Sequence, residues 1–156
     1  MKINISWLQE KNTCQEGVKW FLEKYPKQSS QGKEYQSVLD DLAKENKYEW
    51  AEWLMAKAGS TNTELVIEGD LILEHNLFFS GSLKVTGKIS TIGSIEAGLG
   101  IKAGGGIEAG EGIKAGWDYG IYVGISIKLS LKSKYAIIKS KTKPKNLILG
   151  EWQKGA

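Results

Sequence analysis

Residues 94–116 read SIEAGLGIKAGGGIEAGEGIKAG, and the fold turns on how that stretch repeats. Ile95, Ile101, Ile107 and Ile113 recur at a spacing of six, each followed two places on by Ala97, Ala103, Ala109 or Ala115. Glu96, Lys102, Glu108 and Lys114 alternate in the slot between. A period of two inside each hexad puts Ile and Ala on one side of a short strand and the charge on the other. A helix cannot use the pattern, because a six-residue step walks around a 3.6-residue turn and glycine weakens the helix further.

The step is longer than the quoted text. Backwards it takes in Ile89, Leu83, Leu77, Leu71 and Leu65; forwards it takes in Tyr119, Ile125, Leu131 and Ile137. Glycines at 69, 81, 87, 93 and 105 sit four places after the apolar residue, where the chain must bend. Short strand, corner, short strand at fixed period is the signature of a parallel β-solenoid. Three hexads make one triangular coil, so the run predicts about four coils rising ~4.8 Å each. Leu65, Leu83, Ile101, Tyr119 and Ile137 are expected to stack in one column. In this reading Ile fills the interior, Ala fits beside it, Gly turns the corner and the Glu/Lys slot faces solvent.

From Ile121 the alternation tightens through Val123, Ile125, Ile127, Leu129 and Leu131, which predicts longer strands closing the array. A lysine-rich segment follows, with Lys128, Lys132, Lys134, Lys139, Lys141, Lys143 and Lys145 and no acid between 128 and 145. Lys139 to Lys145 alternate as they would on one face of a terminal strand. Such lysines serve either to protect a sheet edge from further pairing or to offer a cationic surface to an acidic partner or nucleic acid.

Residues 6–59 read as helices. Thr13 and Glu16 have capping-box spacing, and Val18, Phe21 and Leu22 share a face that ends before Pro26. A second helix is expected from about Lys33 to Lys47, with Tyr35, Val38, Leu39 and Leu42 inward. Asn46 is placed to cap a third, with Trp50, Trp53 and Leu54 buried and Gly59 at its end. The expected class is α+β: a helical domain over 1–60, a triangular β-solenoid of hexad repeats with basic C-terminal strands over 61–150, and a tail over 151–156. The helical domain would also cover the first coil.

Composition bounds the rest. The chain is 41% hydrophobic and 25% charged, which excludes a disordered chain. No apolar run approaches the ~20 residues of a membrane span, and MKINISWLQEK lacks an apolar signal core. An intracellular protein is therefore expected. Cys14 is the single cysteine, so no internal disulfide framework exists. Lysine supplies every one of the 21 positive side chains, and lysine is a point charge without the planar fork of arginine. Residues 1–60 carry nine Lys and nine acids, 61–120 four Lys and eight acids, and 121–156 eight Lys and one acid. Glu64, Glu68, Asp70 and Glu74 make the start of the solenoid acidic.

Chemistry is hard to find. His75 is the lone histidine and sits at a corner, and Cys14 belongs to the other domain, where it reads as a small buried apolar residue. The hexad step invites comparison with hexapeptide-repeat acyltransferases, which place a small residue two positions before the aliphatic one; here Leu99, Gly105 and Glu111 hold that slot. No zinc, EF-hand or phosphate-loop motif occurs, and Glu96 and Glu108 fall on different expected faces, against a paired-carboxylate site. No catalytic residue, metal ligand or cofactor is assigned.

The spacing of Trp7-Leu8, Cys14, Gly17 and Trp20-Phe21, followed by Trp50, Trp53 and Leu54, resembles a helical module at the front of uncharacterised phage and prophage proteins. The I-x-A-G run with a hydrophobic strand and basic tail is similar to a phage-borne β-solenoid family, and the solenoid text also resembles bactofilins, cytoskeletal β-helices. The first resemblance implies a non-catalytic interaction protein of phage or mobile-element origin in the bacterial host cytoplasm. It would dock on a host protein, such as a nucleic-acid-binding CRISPR-Cas defence complex, as an anti-CRISPR-type inhibitor. The second implies a self-assembling structural protein, a homo-oligomer. An acyltransferase-like enzyme is a third alternative, and non-specific nucleic acid contact cuts across the first two.

Overall fold

The computed structural model describes residues 1–116 and 118–155, and the backbone of Leu129 without its side chain. Four helices come first: α1 (Ile5–Glu10), α2 (Gln15–Lys24), α3 (Tyr35–Lys44) and α4 (Tyr48–Ala58). A two-residue antiparallel pair, β1 (Lys2–Ile3) with β2 (Lys33–Glu34), ties the N-terminus to the entry of α3. Ile3, Leu8, Phe21, Tyr35, Leu39 and Ala51 form the buried centre of this module.

The caps differ from the sequence reading. Asn4 caps α1, its side chain accepting from the Trp7 amide at 2.9 Å. Cys14, exposed rather than buried, caps α2 through Sγ, which accepts from the Gly17 amide at 3.4 Å. Asn46 does not cap α4. It takes a left-handed turn, φ 55°, between α3 and α4, freeing its side chain for the solenoid. Trp50 and Trp53 are half-buried.

The remainder is a parallel β-solenoid of triangular section with about five coils, so the fold is α+β. The first coil holds β3 (Glu64–Ile67), β4 (Leu71–Leu73) and β5 (Leu77–Phe79). The second holds β6 (Ser82–Val85), β7 (Ile89–Thr91) and β8 (Ile95–Ala97), and the third β9 (Ile101–Ala103), β10 (Ile107–Ala109) and β11 (Ile113–Lys114). The fourth has β12 (Ile121–Val123), a short helical excursion made of Leu129–Leu131 and α5 (Lys132–Tyr135), then β13 (Ile137–Ser140). The last contains β14 (Leu147–Leu149) and β15 (Glu151–Lys154). Three sheets result: a first face β14-β12-β9-β6-β3, a second face β15-β13-β10-β7-β4, and a third face β11-β8-β5.

Up to Ile113 the stacking follows the hexads: Leu65 on Leu83 on Ile101, Leu71 on Ile89 on Ile107, and Leu77 on Ile95 on Ile113. These aliphatics and the alanines two places on line one continuous buried core. The glycine that follows each alanine is required by close approach rather than by a left-handed corner. A Cβ at Gly98, Gly104, Gly110 or Gly116 would land on the backbone carbonyl of the coil before it.

Beyond Ile113 the expected column fails. Ile101 pairs with Ile121, not Tyr119, a coil two residues longer, and Ile107 pairs with Ile138. Tyr119, Ile125 and Leu131 are exposed. Among the described residues no longer strand closes the array: Gly124, at φ 74°, turns the chain out into the excursion that carries α5. Trp117, at the break in the text, lies outside the described residues. The expected tail is instead largely β15, which pairs with β13 along four residues. The helices do not cap the first coil either. They lie along the third face, α3 against β5, and leave the inward Leu65, Ile67 and Leu71 half-buried.

Candidate functional site

In a parallel solenoid, position in the sequence becomes height along the axis, so segregated charge becomes a polar molecule. Glu64, Glu68, Asp70 and Glu74 are all exposed on the first coil. Lys128, Lys132 and Lys134 lie on the excursion between β12 and β13, Lys139 points outward from β13, and Lys141, Lys143 and Lys145 occupy the following corner and loop. Lys132 is half-buried and the other six are exposed. Lys141 donates to Glu111 Oε1 at 2.7 Å, whereas none of the other six has a carboxylate partner among the described residues.

The alternating lysines are therefore not one row on an edge strand. Only Lys139 lies within β13, and β13 is paired on both sides, to β10 and β15. That removes edge protection as the reason for Lys139. The strands that end the first and second faces are β14 and β15.

The charged slot of the hexads also divides by face. Lys102 and Glu108 point to solvent from the first and second faces. On the third face the outward row is Phe78, Glu96 and Lys114; the helices cover Phe78 and Glu96, and Lys114 stays exposed. Phe78 is 1% exposed inside the helical core. Glu96 is 6% exposed; its Oε1 meets Lys114 Nζ at 3.1 Å, and its Oε2 has no hydrogen-bond partner among the described residues. Lys114 continues to Glu52 of α4 at 2.8 Å, so one ammonium joins the two modules. Burial pushes the Glu96 carboxyl up from the ordinary carboxylate range, with Lys114 pulling against it. Lys114 is shifted up because its two carboxylate partners outweigh its own partial desolvation. The two directions are consistent, since the desolvation falls mainly on the more deeply buried group.

Polar side chains complete the junction. Gln36 of α3 donates to the Phe78 carbonyl at 2.8 Å and accepts from the Ser80 amide at 2.9 Å. Asn76 donates to Asn46 Oδ1 at 2.8 Å while accepting from the Ser94 amide at 2.7 Å. Sequence reading missed this set, because each partner lies 30 or more residues from the other across the junction. The left-handed Asn46 was the one local signal.

Between α4 and the third face lies a cleft of about 1340 Å³. Its walls are Glu49, Glu52 and Trp53 of α4, Gly112 to Gly116 around β11, and the loop from Thr142 to Asn146. A second, apolar cleft of about 290 Å³ opens among Trp20, Trp50 and Trp53 in the helical module.

The expected chemistry-bearing residues stay apart. His75 is half-buried at its corner, Nδ1 within 2.6 Å of the Asn76 carbonyl, and its own carbonyl accepts from the Thr91 hydroxyl. Cys14 is committed to its helix cap. Among the described residues no three His, Cys, Asp or Glu side chains cluster as metal ligands would, and no helix is long and apolar enough to cross a membrane.

Residues 1–62 match the family model of the YdhT N-terminal domain, almost the span of the helices and their connection to β3. No curated protein and no solved structure matches the chain. The similarity thus belongs to the N-terminal module.

Proposed function

We propose that the protein is a non-catalytic docking protein whose basic terminal coils engage an acidic surface on a macromolecular partner. The observation that carries this reading is the set of lysines gathered at one end of the solenoid, six of them without a carboxylate partner among the described residues. Ammonium groups held at fixed height on a rigid scaffold raise association rates with an acidic partner and make binding salt-dependent. In its finer form the proposal is a phage- or mobile-element-borne inhibitor of a host defence protein of the CRISPR-Cas type, acting in the bacterial cytoplasm. The resemblance of the tryptophan-rich module and the I-x-A-G text to phage proteins supports that finer form.

The test is phage plating on a CRISPR-defended strain that expresses the chain. Plating is expected to rise by orders of magnitude and to fall back when Lys128, Lys132, Lys134 and Lys139 are changed to Glu. Plating that stays at the defended level overturns the inhibitor reading. The acidic first coil opposite the basic end favours a second reading, head-to-tail stacking of copies. Sedimentation at low and high salt separates the two, since stacking predicts large assemblies that dissolve as salt rises and docking predicts none.

A further inference from the structure

The three faces of the solenoid are unequal: the first and second carry five strands each, the third only three. In the fourth coil the chain does cross the third face, from Lys141 to Asn146, but forms no strand there. Its two ends are fastened to the coil before it. The Lys141 amide donates to the Glu111 carbonyl at 2.9 Å, and Asn146 donates through Nδ2 to the Gly116 carbonyl at 3.2 Å. Pro144 lies between these anchors, buried and unable to donate to a ladder. The loop therefore leaves β11 paired with β8 alone among the described strands, and the outer edge of β11 opens into the 1340 Å³ cleft.

We infer that this cleft takes an extended peptide segment of a partner as an added strand on β11, with apolar and acidic residues alternating. It rests on the reading of the protein as a docking module, but uses a different part of the surface. Strand addition to a free edge gains affinity from main-chain hydrogen bonds and specificity from alternate side chains. The register dictates those side chains. An inward residue would extend the Leu77–Ile95–Ile113 column and must be aliphatic. The outward residue would extend the Phe78–Glu96–Lys114 row, where Lys114 is already shared by Glu52 and Glu96, so the preference for an acidic residue comes from the loop wall. Lys143 and Lys145, exposed on the loop wall and without a carboxylate partner among the described residues, favour the same sign. The volume exceeds the ~300–1,000 Å³ of small-ligand pockets and suits a chain segment.

The probe is a fluorescein-labelled pentapeptide, Val-Glu-Val-Glu-Val, titrated with the full chain at low salt and followed by anisotropy. Saturable binding is expected, weakened about tenfold or more when the Glu amides are N-methylated, the loss of one or two ladder hydrogen bonds. In this solenoid outward residues donate to the preceding coil, as Gly98 does to Phe79 and Gly110 to Thr91. A Lys143→Glu, Lys145→Glu variant is expected to lose this probe and to gain Val-Lys-Val-Lys-Val. Amide exchange at Ile113 and Ala115, whose amides face the next coil as those of Ile95 and Ile101 do, should slow in the complex. Absence of binding, equal binding of the N-methylated peptide, or slowing confined to the edges at β3 and β4 overturns the inference. Reversal of Lys128, Lys132, Lys134 and Lys139, which lie outside the cleft, leaves peptide binding in place. Failure of the docking surface and failure of the β11 edge are thereby told apart.

Discussion

Phe78 belongs to the backbone of the solenoid and to the core of the helices, so its truncation tests how the two modules are joined. The ring is 1% exposed, with its centroid 5.8 Å from that of Tyr48. Replacing a buried Phe by Ala costs about 3–5 kcal/mol, the transfer of the ring plus the cavity it leaves. Burial of roughly 200 Å² at about 25 cal/mol per Å² gives about 5 kcal/mol as an upper figure, in the same range. With a urea slope of about 2 kcal/mol per molar, Phe78→Ala should lower the midpoint by about 2 M. The hydrogen bonds of Gln36 to the same strand use its backbone and survive the substitution. The helices should then stay docked but unfold first. Urea titration followed in parallel by tryptophan fluorescence and far-UV circular dichroism resolves this, because Trp7, Trp20, Trp50 and Trp53 report on the helices. In the variant the fluorescence transition is expected to precede the loss of β signal. A shift worth less than about 1 kcal/mol, the range of surface substitutions, would refute the claim that this ring locks the modules together.

Three further outcomes are expected. Burial raises the Glu96 pKa, so the folded state holds that proton more tightly than the unfolded chain does. Its contribution is complete below the ordinary carboxylate value and is lost as pH rises through the folded one. Glu96→Gln, with Lys114, Glu52, Tyr35 and Tyr48 unchanged around it, should flatten melting temperature against pH over that window; an unchanged slope contradicts it. Cys14→Ser places a stronger acceptor at the α2 cap and should add about 0.5–1 kcal/mol, a rise of a few degrees in thermal melts, with Cys14→Ala no better than wild type. Gly104→Ala puts a methyl group where the Thr86 carbonyl stands and should cost more than about 4 kcal/mol in urea titration, while Lys102→Ala, exposed two residues earlier, stays within about 0.5 kcal/mol.

The solenoid from Leu65 to Ile113 was legible because each hexad carries its own instruction. Alternation fixes which side chains point inward, and repetition at constant length makes those sides coincide from coil to coil, so the three columns of leucine and isoleucine needed no distant information. The lysines were legible as a cluster for the same reason, since sequence distance becomes axial height in such a fold. Their arrangement was not. Val-x-Ile-x-Ile text after Ile121 has the period of a strand whether or not the chain stays in the wall. Its exit at Gly124, where a left-handed angle turns it out, is settled by the coil it would otherwise stack on.

Glu96 and Glu108 make the same point most sharply. Both occupy the middle of an I-E-A triplet, and the sequence by itself determined only that each points away from the core. Tertiary structure decided that Glu108 meets water and Glu96 meets α4, because two hexads place them on different faces and the helices cover the third face alone. Local periodicity fixes inside and outside. Which outside is buried depends on contacts between residues tens of positions apart, and no repeat can encode that.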